Sequence, residues 1–229
     1  MKMLRPNLFR KFKRGPQVVL PKDAGAIVAH SGLQAGDKVV DAGVGSGFLS
    51  IRLGAVVGPS GKVTAYESRE EFAKLASKNI EAAGMDGFVT VKVQDIFLGI
   101  DENEVDIITL DMANSERALP HALAALKQGG ACVGLLPNVE QVRKFVLDAV
   151  KLGFTHESTI EVIEREWLVR ENGCRPATTG LTHTVFLAFL RKPPGGRAYK
   201  TESAAAVHSA NEIPSAGEKP AVESSEPKD

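Results

Sequence analysis

The sequence predicts an α/β fold, with a mostly parallel sheet of seven strands, helices on both faces and an antiparallel strand at the end of the chain. Short apolar runs alternate with segments of helical periodicity as far as residue 152. Two more apolar runs then follow one another with no helical segment between them. Alternation at this spacing is typical of βαβ units and a parallel sheet, whereas strands without a helix between them join as an antiparallel addition at the sheet edge.

Each predicted element is bounded by turn residues or by a change of periodicity. In the third helix, apolar residues from Phe72 to Ile80 recur at helical spacing, and Gly84 ends the pattern. The stretch around Gly173 and Pro176 is predicted to be irregular. The predicted strands are residues 38–41, 62–66, 88–93, 105–110, 131–136, 156–163 and 183–190. The predicted helices are residues 24–30, 46–57, 69–83, 115–126 and 139–152.

The composition fits one folded domain with an extension on either side. Of the 229 residues, 43% are hydrophobic, which is enough for a full core. Residues 1–20 form a basic segment, and residues 21–192 form the domain. Residues 193–229 are predicted to be a disordered tail, because they include almost no large apolar side chains to bury. The basic segment is either a face for a polyanion or a solvated, frayed terminus.

Cysteine usage and hydropathy argue against several classes of protein. Cys132 and Cys174 lie far apart with no C-x-x-C motif, which predicts neither a disulfide scaffold nor a metal site. No apolar run approaches transmembrane length, and the N-terminus lacks the apolar core of a signal peptide. A cytoplasmic location without membrane association is therefore expected.

A glycine-rich stretch follows the first predicted strand. Gly43, Gly45 and Gly47 alternate with small residues directly after Asp41, and a helical pattern then begins. Glycines let the backbone turn sharply and let a ligand approach it closely. The spacing differs from the G-x-G-x-x-G of dinucleotide sites, which hold a pyrophosphate. It suits a ligand with a cationic or zwitterionic tail, such as S-adenosylmethionine, although another nucleotide ligand remains an alternative.

Acidic residues stand at the ends of the next three strands. Glu67 can accept hydrogen bonds from both ribose hydroxyls, and Asp95 from an adenine amino group, with Ile96 against the ring. Asp111 would lie beside the reactive methyl group. Each acid alone is also explained as a helix cap or a loop carboxylate. Because the carboxyl ends of parallel strands meet at one edge of the sheet, the three acids and the glycine loop together predict S-adenosylmethionine binding.

These motifs, with others, resemble one family over residues 4–192. The family is the class I tRNA N1-adenine methyltransferases of archaeal and bacterial type, which have a Rossmann-like fold. The resemblance implies methylation of the T-loop adenine at position 58, with position 57 as a further target, by a homotetramer. It also implies that Gln17, Glu67 and Asp95 contact the cofactor and that Asp111 faces the target adenine. The motifs are Arg14-Gly15-Pro16-Gln17, Pro21-Lys22-Asp23-Ala24, Asp41 to Gly47, Tyr66-Glu67, Arg175-Pro176 and His183-Thr184.

Two features depart from the family pattern. Family members usually carry a small β-rich domain before the methyltransferase core, and this sequence starts where that domain would already have ended. The residue before the P-K-D motif is often aromatic in relatives, whereas here it is Leu20, which can cover a base but not stack on it. We expect either a naturally short protein or a truncated start.

The predicted site residues divide into two groups. Those expected to bind the cofactor are Gln17, Asp41, Gly43, Gly45, Ser46, Gly47, Phe48, Glu67, Ser68, Asp95, Ile96 and Asp111. Those expected to bind the substrate are Leu20, Met112, Arg175 and His183. His183 is equally explained as a histidine bonded to backbone at an edge strand, and Arg175 as the partner of either a phosphate or a carboxylate. Trp167 is expected to be a packing or subunit-interface residue.

The chemistry expected of this site is mostly positioning. Adenine N1 has a free lone pair at neutral pH, so its methylation needs no strong base, and the product ring is cationic. Asp111 is the predicted catalytic residue, because a carboxylate there can accept from the adenine amino group and stabilise the developing charge. The adenine must leave its stack, which predicts a base-flipping pocket walled by Leu20, Met112 and His183.

Two other functions are compatible with this pattern. A precorrin C-methyltransferase that also decarboxylates has the same fold, but the R-P and H-T motifs and the basic first 15 residues disfavour it. A noncatalytic tRNA-binding partner subunit is the second alternative. Such a subunit could lose its cofactor loop, whereas this sequence keeps its three loop glycines and Glu67.

Overall fold

The computed structural model describes residues 12–15, 17–178, 180 and 183–195. The strands are β1 Lys38–Ala42, β2 Lys62–Glu67, β3 Val89–Val93, β4 Val105–Leu110, β5 Leu126–Leu136, β6 Thr155–Glu161, β7 Trp167–Arg170, β8 Gly173–Pro176 and β9 Phe186–Arg191. The α-helices are α1 Pro21–Ser31, α2 Phe48–Val57, α3 Glu70–Ala82, α4 Leu119–Ala125 and α5 Val139–Leu152.

Seven of these strands form one sheet in the order β3-β2-β1-β4-β5-β9-β6. Strands β1 to β5 are parallel, and β9 runs antiparallel to its neighbours β5 and β6. The predicted α/β class, the seven strands and the antiparallel terminal strand are confirmed. The expected antiparallel addition at the sheet edge is also confirmed, with β9 next to β5 and β6 outermost. This order agrees with burial, because the central residues of β9 are fully buried, whereas β6 is half-exposed.

Helices cover both faces of the sheet, as predicted. The helices α1, α2 and α3 pack on one face, with Ile27, Ile51 and Ile80 in the core there. On the other face, α4 and α5 bury Leu119 and Phe145. Buried strand residues alternate between the two faces, as the two-residue repeat of a strand requires. The sheet therefore has a core on each side, and its carboxyl edge is left to the loops.

The predicted boundaries fail in two places. Strand β5 starts at Leu126 rather than at residue 131, because Gly129 (φ 76°) lets the strand bend and its register with β4 shifts between Val105 and Ile107. The stretch predicted to be irregular forms the two-stranded sheet β7–β8, in which Trp167 pairs with Pro176. Strands of four residues show too little alternation to be found in a sequence.

Other expectations concern the ends of the chain. Residues 1–11 and 196–229 lie outside the described residues, so the basic character of the first segment and the disorder of the tail remain predictions. Within the described part of the chain, no helix combines the length and the apolar character needed to cross a membrane.

Candidate functional site

The glycine loop joins β1 to α2 at the carboxyl edge of the sheet. Gly43, Gly45 and Gly47 have φ angles of 83°, 55° and 82°, which are left-handed conformations that side chains disfavour. A Cβ atom at Gly43 would lie 2.0 Å from the carbonyl oxygen of Asp111, and one at Gly47 would lie 3.3 Å from Ala76. The loop is therefore pressed against the end of β4 and against α3, and only glycine fits its first position.

Glu67, at the end of β2, holds this loop in place. Its carboxylate is buried and accepts a hydrogen bond from the backbone N–H of Gly45 at 3.0 Å. The other oxygen accepts from the backbone N–H of Arg69 at 3.1 Å and from its guanidinium Nε at 3.2 Å. Each carboxylate oxygen can accept more than one hydrogen bond, so Glu67 retains capacity for a ligand. Its role toward a ribose stays a prediction.

Asp41 and Asp111 place two carboxylates beside the loop. Asp41 is buried, and its oxygens accept from the hydroxyls of Ser50 at 2.5 Å and Thr109 at 2.6 Å. Asp111 follows β4, and its N–H donates to the carbonyl of Ala42 at 2.8 Å. Burial, with a smaller contribution from the Asp41 charge, raises the pKa of Asp111 to about 7. Asp111 can therefore be protonated or ionised near neutral pH.

Two neighbouring cavities open at this edge of the sheet. The smaller has a volume of about 30 Å³ and the larger, a cleft, about 690 Å³. Gln17, Val18, Val19 and Asp111 line both of them. The small pocket is also lined by Asp41, Gly43, Val44, Gly45, Ser46, Phe48 and Leu49. The cleft is also lined by Arg14, Leu20, Asp23, Met112, Ala113, Leu135, Pro137, Gln141, His183, Thr184 and Val185.

The small pocket presents a buried hydroxyl that needs a hydrogen-bond partner. Ser46 is buried, and its hydroxyl has no hydrogen-bond partner among the described residues although it lies in the pocket wall. A buried polar group without a partner is costly, and a polar ligand would satisfy it. The Gly43–Gly45 backbone, the Ser46 hydroxyl and the nearby carboxylates can together hold a zwitterionic tail.

The structure thus brings most of the predicted residues together, but not all of them. Asp95 caps a short 3₁₀ turn by accepting from the N–H of Phe97 at 2.9 Å, and Ile96 is buried in the core beside it. Ser68 is exposed. Neither cavity is lined by any of these three residues, nor by Gly47 or Glu67. Their contact with a cofactor remains a prediction.

On the substrate side, Leu20, Met112 and His183 all line the cleft with Asp111. Arg175 is not among the residues that line the cleft. It lies exposed on β8, in a sheet separate from the main one, opposite Leu168. Its contact with a substrate remains a prediction.

His183 lies at the rim of the cleft, with both ring nitrogens in contact with oxygen atoms. Its Nδ1 contacts a carboxylate oxygen of Glu161 at 2.5 Å, and its Nε2 contacts the carbonyl oxygen of Pro137 at 2.9 Å. A protonated ring can donate to both of these oxygens. The hydrogen bond to Glu161 is the main cause that raises the pKa of His183. These contacts favour the protonated form of the ring.

Some cleft residues were missed by the sequence reasoning. Asp23 and Thr184 belong to the P-K-D-A and H-T motifs, but no role was predicted for either. Pro137 and Gln141 follow β5, and a search of residues just beyond each predicted strand would have found Pro137. Gln141 lies in the first turn of α5, where its backbone N–H donates to the Asn138 side chain at 2.9 Å. Nothing in the sequence distinguishes it.

This strand order, with a glycine loop after β1 and an acidic residue at the end of β2, defines a Rossmann-like fold with its ligand site at the carboxyl edge of the sheet. Comparisons with known proteins identify the family. Residues 6–184 match the family model described as "tRNA methyltransferase complex GCD14 subunit". The chain belongs to this family.

Individual relatives agree with this assignment. The chain is 37% identical over 221 residues to a protein of Methanocaldococcus jannaschii named tRNA (adenine(57)-N(1)/adenine(58)-N(1))-methyltransferase TrmI, covering 84% of this chain and 78% of that one. A Thermotoga maritima structure titled as a SAM-dependent O-methyltransferase superposes with a TM-score of 0.79 at 35% sequence identity. This match covers 83% of this chain and 72% of that one. The Aquifex aeolicus tRNA (m1A58) methyltransferase TrmI superposes with a TM-score of 0.72 at 28% sequence identity. This match covers 79% of this chain and 72% of that one.

Proposed function

We propose that this protein transfers a methyl group from S-adenosylmethionine to N1 of adenine 58 in the T loop of tRNA, with adenine 57 as a second target. One observation carries the proposal: Asp111 borders both the small pocket and the large cleft. A group at that boundary can contact a cofactor on one side and an acceptor base on the other. The names of the relatives from Methanocaldococcus jannaschii and Aquifex aeolicus support tRNA adenine as the acceptor.

The residues of the small pocket would hold the cofactor. The backbone from Gly43 to Gly45 and the Ser46 hydroxyl face its polar part, and Glu67 stabilises the loop conformation through the N–H of Gly45. When bound, S-adenosylmethionine supplies a methyl group activated by a positively charged sulfur. Gln17, which lines both cavities, lies where it can contact cofactor and base.

Asp111 would supply the chemistry on the protein side. Adenine N1 attacks with its own lone pair, and positive charge then develops on the ring. An ionised Asp111 accepts a hydrogen bond from the exocyclic amino group and stabilises that charge, most effectively in a site that excludes water. His183 takes no part in proton transfer in this scheme, because both its ring nitrogens are engaged by Glu161 and Pro137.

The lining of the cleft supports its use as the pocket for a flipped base. Its walls are apolar at Val18, Leu20 and Val185, and Arg14 carries a positive charge into its lining. Apolar walls hold the base after it leaves its stack, and basic residues bind the flanking phosphates. A tetrapyrrole with many carboxylates fits less well, since the Asp111 carboxylate lines this cleft.

We also propose that the protein acts in the cytoplasm as a homotetramer. An exposed apolar surface supports self-association, since Trp167 and Val169 on β7 are 58% and 79% exposed. Light scattering after size-exclusion chromatography tests this proposal. A Trp167→Asp substitution should shift the mass toward smaller species, whereas a monomeric wild type would contradict the proposal.

The central experiment measures methyl transfer to an unmodified tRNA transcript, with the product nucleoside identified by mass spectrometry. We expect N1-methyladenosine from the wild type, loss of most of it when adenine 58 is replaced, and little turnover by Asp111→Asn. A variant of an exposed carboxylate, Asp86→Asn, serves as the matched control. Cofactor binding without any methylated adenosine would refute the proposal and direct attention to small-molecule substrates.

The basic segment provides a separate test. Changing Lys11, Lys13 and Arg14 to Glu should weaken tRNA binding and reduce its salt dependence, because each lost phosphate contact lowers the slope of log K against log salt by about 0.9. Affinity for S-adenosylmethionine should be unchanged. A tRNA affinity that is insensitive to salt in the wild type would exclude this role of the segment.

A further inference from the structure

Two motifs that are distant in the sequence meet in a buried cluster beside the cleft. The ammonium of Lys22, in the first turn of α1, donates to the hydroxyl of Thr184 just before β9 at 2.6 Å. It also donates to its neighbour Asp23 at 2.7 Å and to the carbonyl of Val162 at 2.6 Å. The hydroxyl of Thr184 in turn donates to the second oxygen of Asp23 at 3.0 Å. The P-K-D-A and H-T motifs are therefore two halves of one hydrogen-bonded unit.

The cluster is buried, and each of its hydrogen-bond donors has an acceptor. Only 7% of the Lys22 side chain and 1% of the Asp23 side chain are exposed. An ammonium has three hydrogens, and each has its own acceptor here. Both oxygens of Asp23 accept, and the hydroxyl of Thr184 accepts once and donates once. A buried network in which every group has a partner holds its members in one arrangement.

The residues next to the cluster form the substrate side of the cleft. Leu20 precedes Pro21 and Lys22, and its carbonyl accepts from the N–H of Ala24 at 3.0 Å. His183 precedes Thr184, and its ring is fixed separately by Glu161 and Pro137. Leu20 and His183 both line the cleft, whereas neither lines the small pocket. We therefore expect a change in the cluster to act on Leu20 and on the backbone of His183 rather than on the glycine loop.

We propose that Lys22, Asp23 and Thr184 are positioning residues, which fix Leu20 and His183 relative to Asp111 so that the target base is presented in reacting geometry. The proposal rests on the proposed function and adds residues that act through the cleft walls. The charges of Lys22 and Asp23 cancel inside the cluster, and all three hydrogens of the Lys22 ammonium already have acceptors. Their contribution is to catalysis by orientation, in which small displacements cost large factors in rate.

The test is Thr184→Val, which keeps the shape of the side chain but removes the hydroxyl that joins Lys22 to Asp23. We expect kcat for tRNA methylation to fall about 10- to 100-fold, with the Kd for S-adenosylmethionine within twofold of the wild type. Thr184→Ser restores the hydroxyl and should restore most of kcat. The matched control is Thr159→Val on β6, whose hydroxyl contacts His156 at 2.9 Å and which lines neither cavity. This control should keep kcat.

Amide hydrogen exchange of Ala24, measured without substrate, tests the cluster independently of activity. Exchange should accelerate in Thr184→Val but not in Thr159→Val. If the valine variant does not fold, Thr184→Ala takes its place, because a water molecule can enter the space left by the hydroxyl.

The possible outcomes separate this inference from the proposed function. A wild type that produces no N1-methyladenosine overturns the proposed function, whatever the exchange data show. With an active wild type, an unchanged kcat in Thr184→Val overturns the positioning role. A loss of cofactor affinity by the same factor as kcat also overturns it, because the cluster would then support the whole domain rather than the cleft wall.

Discussion

Replacing Asp111 by Asn should stabilise the protein above neutral pH while removing its activity. The pKa of Asp111 is raised from 3.8 to about 7, mainly by burial and secondly by the Asp41 carboxylate. Since one pKa unit corresponds to about 1.4 kcal/mol, keeping Asp111 ionised in the folded state costs at most roughly 4 kcal/mol. The asparagine variant does not bear this cost.

The sign of the pH dependence follows from which state binds more protons. Between pH 3.8 and about 7 the unfolded chain has released the Asp111 proton while the folded protein still holds it. The contribution of Asp111 to the free energy of unfolding therefore falls as the pH rises through this range. Below pH 3.8 the carboxyl is protonated in both states, so wild type and variant should have similar stability.

Thermal unfolding without ligands, at pH 4 and at pH 8, measures this difference. For a chain of this size, each kcal/mol shifts Tm by about 2–4 °C, so Asp111→Asn should raise Tm by several degrees at pH 8 and hardly at all at pH 4. The exposed Asp86→Asn variant should show no such pH dependence. A Tm of Asp111→Asn that is lower than that of the wild type by the same amount at both pH values would refute the reasoning, because the carboxylate would then carry no electrostatic cost.

Three further predictions concern the same site. The rate of methyl transfer should increase with pH through about 7 as Asp111 ionises. Asp41→Asn should move the midpoint of this increase to lower pH, because it removes the neighbouring charge. A pH profile of kcat/KM that is unchanged in Asp41→Asn would contradict this prediction. Gly43→Ala should raise the Kd for S-adenosylmethionine at least about tenfold and lower Tm, because its Cβ would lie 2.0 Å from a carbonyl oxygen. In the control Gly25→Ala the added Cβ meets no atom within 4 Å, so calorimetry should show unchanged affinity. Glu67→Gln should weaken cofactor binding about tenfold with little change in kcat at saturation, whereas a fall in kcat at constant Kd would assign Glu67 to the reaction itself.

The fold could be predicted from the sequence because its main strands and helices carry strong periodic signals. The alternation of strands and helices gave the parallel sheet and both helical layers. The position of β9 could not be predicted, because pairing between β5 and β9 depends on contacts between residues far apart in the chain. The short strands β7 and β8 were missed for a different reason, since four residues carry almost no pattern.

The site was predictable where function follows from backbone geometry. Gly43 is required by its positive φ and by the contact with the Asp111 carbonyl, and both follow from a tight turn at the sheet edge. Side-chain partners were not predictable. The capping of a turn by Asp95 and the double hydrogen bonding of His183 depend on groups that the chain brings together only when it folds.

The place of β9 inside the sheet sets an order for folding during synthesis. Every residue that lines the small pocket lies between Gln17 and Asp111, so this pocket can form early, with the first four strands. Strand β6, by contrast, leaves the ribosome without a partner and is joined to the sheet only by β9, which ends at Arg191. His183, which lines the cleft, meets Glu161 at that last stage. A nascent chain would therefore complete its small pocket well before it completes the walls of the large cleft.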